Sequence, residues 1–153
     1  MPRFSKKSLD KLHTCHPDLV RLFEVIIDYR DCTILEGARL DERQAELYKA
    51  GKSKKDGILS KSMHQIYKGF PYSRAIDVTP WPIPNEWGQL DLEDRNNIAY
   101  QSRELGEFYN FGGFVQGVAK SLKINIRWGG DWDSDNEFND QTFFDLPHFE
   151  LIN

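Results

Sequence analysis

Leu19, Phe23, Ile26 and Ile27 recur at helical spacing, and Pro17 suits a first helical turn, where its missing N–H loses no partner. A helix over 17–30 is predicted. The short, partly β-branched run 33–39 reads as a strand that delivers Arg39 at its end. Asp41 with Gln44 three residues on forms a capping-box-like start for a helix over 42–50, which Gly51 can stop. From Gly51 to about Ser73 neither period is present, and an irregular segment of that length in a compact domain is usually functional or mobile. Residues 74–79 alternate as a strand and end at Pro80-Trp-Pro-Ile-Pro84. Asp91 or Asp94 can cap a long helix in which Ile98, Ser102, Leu105, Tyr109, Gly112, Val115, Ala119 and Leu122 share a face, with a kink expected at Gly112-Gly113. Strands over 124–128 and 147–152 complete the chain. With no regular βαβ alternation, this order predicts an α+β domain on a small antiparallel sheet with flanking helices.

At 153 residues the chain has the size of one domain, and 1–153 is read as a single domain. Its composition, 39% apolar and 13% aromatic, supplies enough core to exclude intrinsic disorder. No apolar run exceeds three residues, so nothing in the sequence reads as a bilayer-spanning helix. The basic N-terminal segment has no apolar stretch behind it and does not read as a signal peptide, so synthesis in the cytoplasm is expected. Cys15 and Cys32 show no Cys-x-x-Cys pattern and are expected to be ordinary thiols. The net charge of -4 disfavours nucleic acid, but it hides a gradient: +4 over 1–70, -2 over 71–126 and -6 over 127–153. The acidic end is either a solvated face or a cation site.

Of four histidines, His13 and His16 lie in a polar N-terminal stretch and read as solvent-facing or capping residues. His64 stands in the irregular segment. Asp77 lies at the centre of the Ala75-Ile-Asp-Val strand, where a carboxylate between apolar neighbours needs a partner. In the last strand His148 and Glu150 share one face and Phe149 and Leu151 the other, so burial of Phe149 turns His148 toward a cleft. Two imidazoles and one carboxylate match the ligand set of catalytic zinc, which keeps a fourth position open. The residues alone leave satisfied structural histidines as the alternative, since no His-Glu-x-x-His helix is present. Asp145, three residues before His148 and separated by Leu146-Pro147, would stand near such a metal as a proton carrier without ligating it.

The elements Ser62-x-His64, Ser73-Arg-Ala-Ile-Asp77, Arg127-Trp-Gly-Gly-Asp-Trp132 and Asp145-Leu-Pro-His-Phe-Glu-Leu151 resemble the zinc peptidase family that includes D-alanyl-D-alanine carboxypeptidases and phage L-alanyl-D-glutamate endolysins. The resemblance is strongest to the short phage endolysins and spans effectively the whole chain. It implies the α+β fold shared with the Hedgehog signalling domain. It also implies one Zn2+ held by His64, Asp77 and His148, and a general base at Asp145. Arg39 would bind substrate and stabilise the developing oxyanion, and Ser62 would position the first ligand or the substrate. The implied reaction cuts the peptide stem of bacterial peptidoglycan, at the L-Ala–D-Glu bond, for lysis of a host cell. One departure is plain: twelve residues separate His64 from Asp77 where the family usually has six, so an insertion containing Lys68-Gly-Phe-Pro-Tyr72 must loop out, and Ser73 stands where many members have Gly.

Two other functions stay open, a D-alanyl-D-alanine carboxypeptidase or dipeptidase of the same fold and a zinc-containing module without turnover. A positioned base at Asp145 speaks against the second. The expected actor is a monomer that reaches the wall after the membrane is permeabilised, with no separate wall-binding domain, no membrane insertion and no nucleic-acid partner. Asp131, Asp133 and Asp135 space oxygen ligands two apart as a Ca2+ loop does, yet lack the EF-hand glycine and terminal glutamate; a second cation site and a solvated loop are both open. Trp81, Trp87, Trp128 and Trp132 can line a sugar-peptide groove, with at least two expected in the core.

Overall fold

The computed structural model describes residues 1–85, 87, 98–138 and 140–152. Helices α1 (Lys6–Leu12) and α2 (Pro17–Tyr29) lead into strand β1 (Cys32–Glu36) and helix α3 (Asp41–Lys49). Strand β2 (Ala75–Pro80), helix α4 (Ile98–Ser121) and strands β3 (Ile126–Trp128) and β4 (His148–Leu151) follow. The four strands form one sheet in the order β1-β2-β4-β3, and every pairing is antiparallel. The α+β class read from the sequence is the observed one.

The core lies between this sheet and helices α2 and α4. Leu19, Leu22, Phe23 and Ile26 of α2 meet Ile34, Ile76, Val78 and Phe149 of the sheet and Phe108, Phe111 and Val115 of α4. Burial of some dozen such side chains, each contributing about 1.5–3 kcal/mol, is the main force holding the layers together. Among the described residues no helix is long and apolar enough to cross a membrane.

Four local expectations change. Helix α1 was not anticipated: two turns with three lysines show too short an apolar stripe, yet Ser8 and Leu12 are buried and Ser5 caps it by accepting from the Ser8 N–H. Strand β1 stops at Glu36, because a register shift between Ile34 and Glu36 sets Glu36 opposite Asp77 and turns Gly37-Ala38-Arg39 toward the segment carrying His64. Asp41 is the first helical residue and not the cap; extended Leu40 occupies the cap position without a side-chain bond, while the Asp41 carboxylate accepts from Gln65 and Lys61. Helix α4 is continuous through Gly112-Gly113, and its buried face is led by Phe108, Phe111 and Val115, with Ser102 exposed. Asp91 and Asp94 lie outside the described residues. His16 does cap α2, its Nδ1 accepting from the Asp18 N–H.

The insertion loops out as a tight hairpin in which Tyr67 and Phe70 exchange backbone bonds (3.0 and 2.8 Å) around Lys68-Gly69, with Gly69 in the left-handed region. Ser73 roots its far end. Its N–H donates to Thr14 O and its carbonyl accepts from His16 N–H, while its buried hydroxyl donates to Ala75 O at 2.6 Å.

Candidate active site

The sheet register assembles the centre of the site. In β2, Asp77 faces Glu36 of β1 on one side and His148 of β4 on the other. His64 reaches this point from the irregular segment because its backbone is tied to the β1–α3 connection: Arg39 N–H donates to His64 O at 2.8 Å, and Arg74 N–H to Met63 O at 2.9 Å. Gly37 is required there, since a methyl group on it would stand 2.3 Å from Lys11 O and 2.4 Å from Thr14 Oγ1.

The three predicted ligands converge. His64 Nε2 is 3.3 Å from His148 Nδ1 and 3.2 Å from Asp77 Oδ1, and His148 Nδ1 is 3.0 Å from the same Asp77 oxygen. A tetrahedral zinc shell with bonds of about 2.0–2.1 Å places neighbouring donors about 3.3–3.4 Å apart, so this triangle fits the ion. The far nitrogen of each ring agrees. His64 Nδ1 lies 2.7 Å from Gly37 O, an acceptor only, and therefore carries the proton there. His148 Nε2 lies 3.0 Å from Glu150 Oε2. Three electron-pair donors pointed at one another repel unless a proton or a metal ion stands between them. Burial pulls the His148 pKa down, but hydrogen bonds to Asp77 and Glu150 and the charges of Asp77 and Asp145 outweigh it and raise the group to about 9. Burial likewise opposes ionisation of Asp77, yet His64 and His148 hold its carboxyl far below the usual range.

Around this triangle lies a cleft of about 910 Å³, lined by Arg39, Ser62, Arg127, Trp132 and Asp145 among others. Asp145 is held by a turn rather than by side-chain packing: its N–H donates to Gly129 O at 2.8 Å, Gly129 N–H donates to His148 O at 2.8 Å, and His148 N–H donates to Asp145 O at 2.9 Å. A methyl group on Gly129 would come 2.2 Å from Asp145 O, which explains a glycine at this position of the Trp-Gly-Gly-Asp-Trp element. Burial raises the Asp145 pKa, against the opposing charge of His148, and a raised carboxyl is suited to taking and returning a proton. Arg39 is almost fully buried; its Nε donates to Glu36 Oε2 at 3.0 Å and its Nη1 to Gln44 Oε1 at 2.9 Å, with Nη2 3.8 Å from Asp77 Oδ2. Ser62 Oγ accepts from His64 N–H at 3.3 Å.

Asp131, Asp133 and Asp135 also come together, each with a carboxylate oxygen within 4.8 Å of the others. Asp131 is completely buried; Oδ2 accepts from Asn136 N–H at 3.1 Å, while Oδ1 has no hydrogen-bond partner among the described residues. Of the tryptophans, Trp128 is fully buried and Trp132 lines the cleft, whereas Trp81 and Trp87 are 56% and 39% exposed, so one and not two of them belongs to the core. Several residues were missed. Gln44 is fully buried, supports Arg39 and donates to Ser53 Oγ and Lys55 O (2.8 and 2.6 Å), pinning the basic segment that lines the cleft. Glu150 and Arg127 were missed as well, although strand alternation had set Glu150 on the His148 face.

The model of the phage L-alanyl-D-glutamate peptidase family matches residues 1–152. The chain belongs to this family. Among relatives of this phage peptidase family member, the peptidoglycan L-alanyl-D-glutamate endopeptidase CwlK of Bacillus subtilis (strain 168) is 32% identical over 129 residues, covering 80% of this chain and 61% of CwlK. The crystal structure of the L-Ala D-Glu endopeptidase ChiX of Serratia marcescens superposes with a TM-score of 0.65 at 26% identity, over 98% of this chain and 90% of ChiX. The family member therefore shares its fold with ChiX and spans about three fifths of the length of CwlK.

Proposed function

We propose that this chain is a zinc-dependent endolysin that hydrolyses the L-Ala–D-Glu bond in peptide stems of bacterial peptidoglycan. The observation that carries the reading is the His64–Asp77–His148 donor triangle with Asp145 beside it in one cleft, in a member of a peptidase family whose relatives CwlK and ChiX are L-Ala–D-Glu endopeptidases. Zinc, when bound, supplies a Lewis acid for the scissile carbonyl and lowers the pKa of water. Asp145 accepts the proton of the attacking water and returns it to the departing D-Glu amine. Arg39, whose guanidinium is fixed by Glu36 and Gln44, offers its remaining field to the negative charge that develops on the carbonyl oxygen. Ser62 keeps His64 in place. One core cluster running from Leu12 to Leu151 supports a single catalytic domain.

The test is digestion of purified peptidoglycan with and without a chelator, with mass analysis of the fragments. New N-terminal D-Glu and loss of activity with chelator are expected; released free D-Ala would select the carboxypeptidase instead. Asp145→Ala keeps zinc but loses about 10²–10⁴-fold in rate, while His148→Ala loses zinc and rate together. Full activity of Asp145→Ala would sink the mechanism.

A second cation, with Ca2+ as the probe, is proposed at Asp131, Asp133 and Asp135. What favours it is the buried, unpartnered Asp131 Oδ1 within the cluster, because a buried carboxylate oxygen is costly unless something neutralises it. Added calcium should raise the unfolding temperature of the parent and leave Asp131→Asn unchanged; no shift in the parent rules the site out.

A further inference from the structure

We infer that Glu150, clamped by Arg127, is a positioning residue that decides which nitrogen of His148 faces the metal. The inference rests on the zinc reading above and gives a role to two residues that the sequence reading left without one. A neutral imidazole carries one N–H and one lone pair, and only the lone pair binds a metal. For His64 the choice is made by main chain, through Nδ1–H donating to Gly37 O at 2.7 Å. For His148 it is made by a side chain: Nε2 lies 3.0 Å from Glu150 Oε2, leaving Nδ1 for the triangle.

Glu150 can do this only as an oriented, ionised acceptor, and Arg127 makes it one. The two residues are directly opposed across β3 and β4. Arg127 Nε donates to Glu150 Oε1 at 3.0 Å and Nη2 donates to the same oxygen, which leaves Oε2 to His148. Trp132 closes the assembly: its ring centroid is 5.5 Å from the His148 ring and 5.5 Å from the Arg127 guanidinium, whose Nη1 lies 3.5 Å from Trp132 O. Arg127 and Trp132, the two ends of the Arg-Trp-Gly-Gly-Asp-Trp element, thus converge on the ligand His148. Without the Glu150 carboxylate no other side chain among the described residues is bonded to Nε2 to reserve the proton there. The Nδ1–H form can then donate to Asp77 Oδ1 at 3.0 Å, which blocks two metal donors at once.

The near-isosteric Glu150→Gln tests this. It offers one acceptor oxygen between two donors, Arg127 and His148, so the tautomer is no longer enforced while the packing volume is kept. Zinc affinity, measured by competition with a chromophoric chelator, should fall about 10–100-fold, as for loss of other carboxylates behind metal-bound histidines. The visible absorption of the Co2+-loaded protein should change in position or intensity, a readout that a purely structural role would leave alone. Far-UV circular dichroism confirms the fold; should Glu150→Gln not fold, Arg127→Gln, which frees Glu150 to rotate, should show the same two changes at several-fold amplitude. Parental zinc affinity together with a parental Co2+ spectrum in the folded variant overturns the inference. His148→Ala separates the two levels. If it keeps zinc at parental affinity, the zinc reading itself fails; if it loses zinc while Glu150→Gln does not, only the role of Glu150 fails.

Discussion

Gly112 and Gly113 are neighbours in α4, and adding one methyl group to each should move stability in opposite directions. On Gly112 the new carbon would stand 2.5, 2.6 and 2.8 Å from three atoms of the Trp128 indole, about 1 Å inside ordinary carbon–carbon contact. Trp128 has nowhere to go. Its Nε1–H donates to Leu146 O at 2.7 Å, its ring stacks on Phe149, and Tyr109 and Phe138 meet it edge-on. A methyl on Gly130 would strike the same ring at 2.4 Å, so the indole is held between two glycines. Overpacking of this kind costs about 1–3 kcal/mol, set against the roughly 1 kcal/mol that alanine gains in helix propensity. Gly113 is exposed, with open space where its methyl would go, and keeps the gain. Urea unfolding should therefore find Gly113→Ala about 0.5–1 kcal/mol more stable than the parent and Gly112→Ala less stable than Gly113→Ala by roughly 1–3 kcal/mol. Activity follows, because Leu146 adjoins Asp145, the proposed base: a shifted indole drags the turn that holds it, and displacement approaching 1 Å can cost on the order of 10²-fold. Peptidoglycan hydrolysis should fall at least tenfold in Gly112→Ala and stay parental in Gly113→Ala. Equal stability of the two variants would refute the packing argument.

Chelator-treated protein should lose stability as pH rises from neutrality. With His148 at about 9 when folded and about 6.5 when unfolded, the folded state binds the proton more tightly, so its contribution is complete below pH 6.5 and disappears as pH rises through 9. A urea midpoint that is level or rising between these values, or a decline that persists in His148→Ala, contradicts this. Burial pushes both Cys15 and Cys32 up to about 12, the nearby charges of Asp77 and Asp31 adding to it and a Thr14 hydrogen bond opposing it at Cys15. Neither thiol should react with an alkylating reagent at pH 8 until the protein is unfolded, and rapid labelling of the native protein would be the contrary result.

The convergence of His64, Asp77 and His148 was legible because each left a mark in the one-dimensional pattern. Asp77 interrupts an apolar strand, His148 alternates with Phe149 and Leu151, and His64 sits in a segment with no period at all. What joins them is sheet register, which places Asp77 between Glu36 and His148 and cannot be read from any one strand. Glu150 shows the same limit more sharply. Its face was readable from alternation, but its partner lies 23 positions earlier, and only the β3–β4 pairing makes them neighbours. Local rules failed where a distant group made a stronger claim on the same side chain. Asp41 and Gln44 have the spacing of a capping box, yet Asp41 binds Gln65 and Lys61 while buried Gln44 bridges Arg39 to the Ser53–Lys55 segment.

The helix cap is thus left to backbone geometry at Leu40, and the two polar side chains serve the cleft instead. Capping by Ser, Thr, Asp or Asn is worth about 1 kcal/mol, whereas a hydrogen bond to a charged group such as the Arg39 guanidinium is worth about 1.5–3 kcal/mol. Asp41 is committed to Gln65 and Lys61, and Gln44 to Arg39, Ser53 and Lys55, so no reciprocal capping box forms and α3 starts one residue earlier than its sequence suggests. The same balance accounts for the Trp-Gly-Gly-Asp-Trp element. Gly129 and Gly130 give up side chains so that Asp145 O and the Trp128 ring can close on the main chain, and Asp131 is buried one residue further on. The acidic end, open from its sequence as a solvated face or a cation site, is in its first half built around the cleft: Gly129 closes the turn of Asp145 and Trp132 lies against the His148 ring.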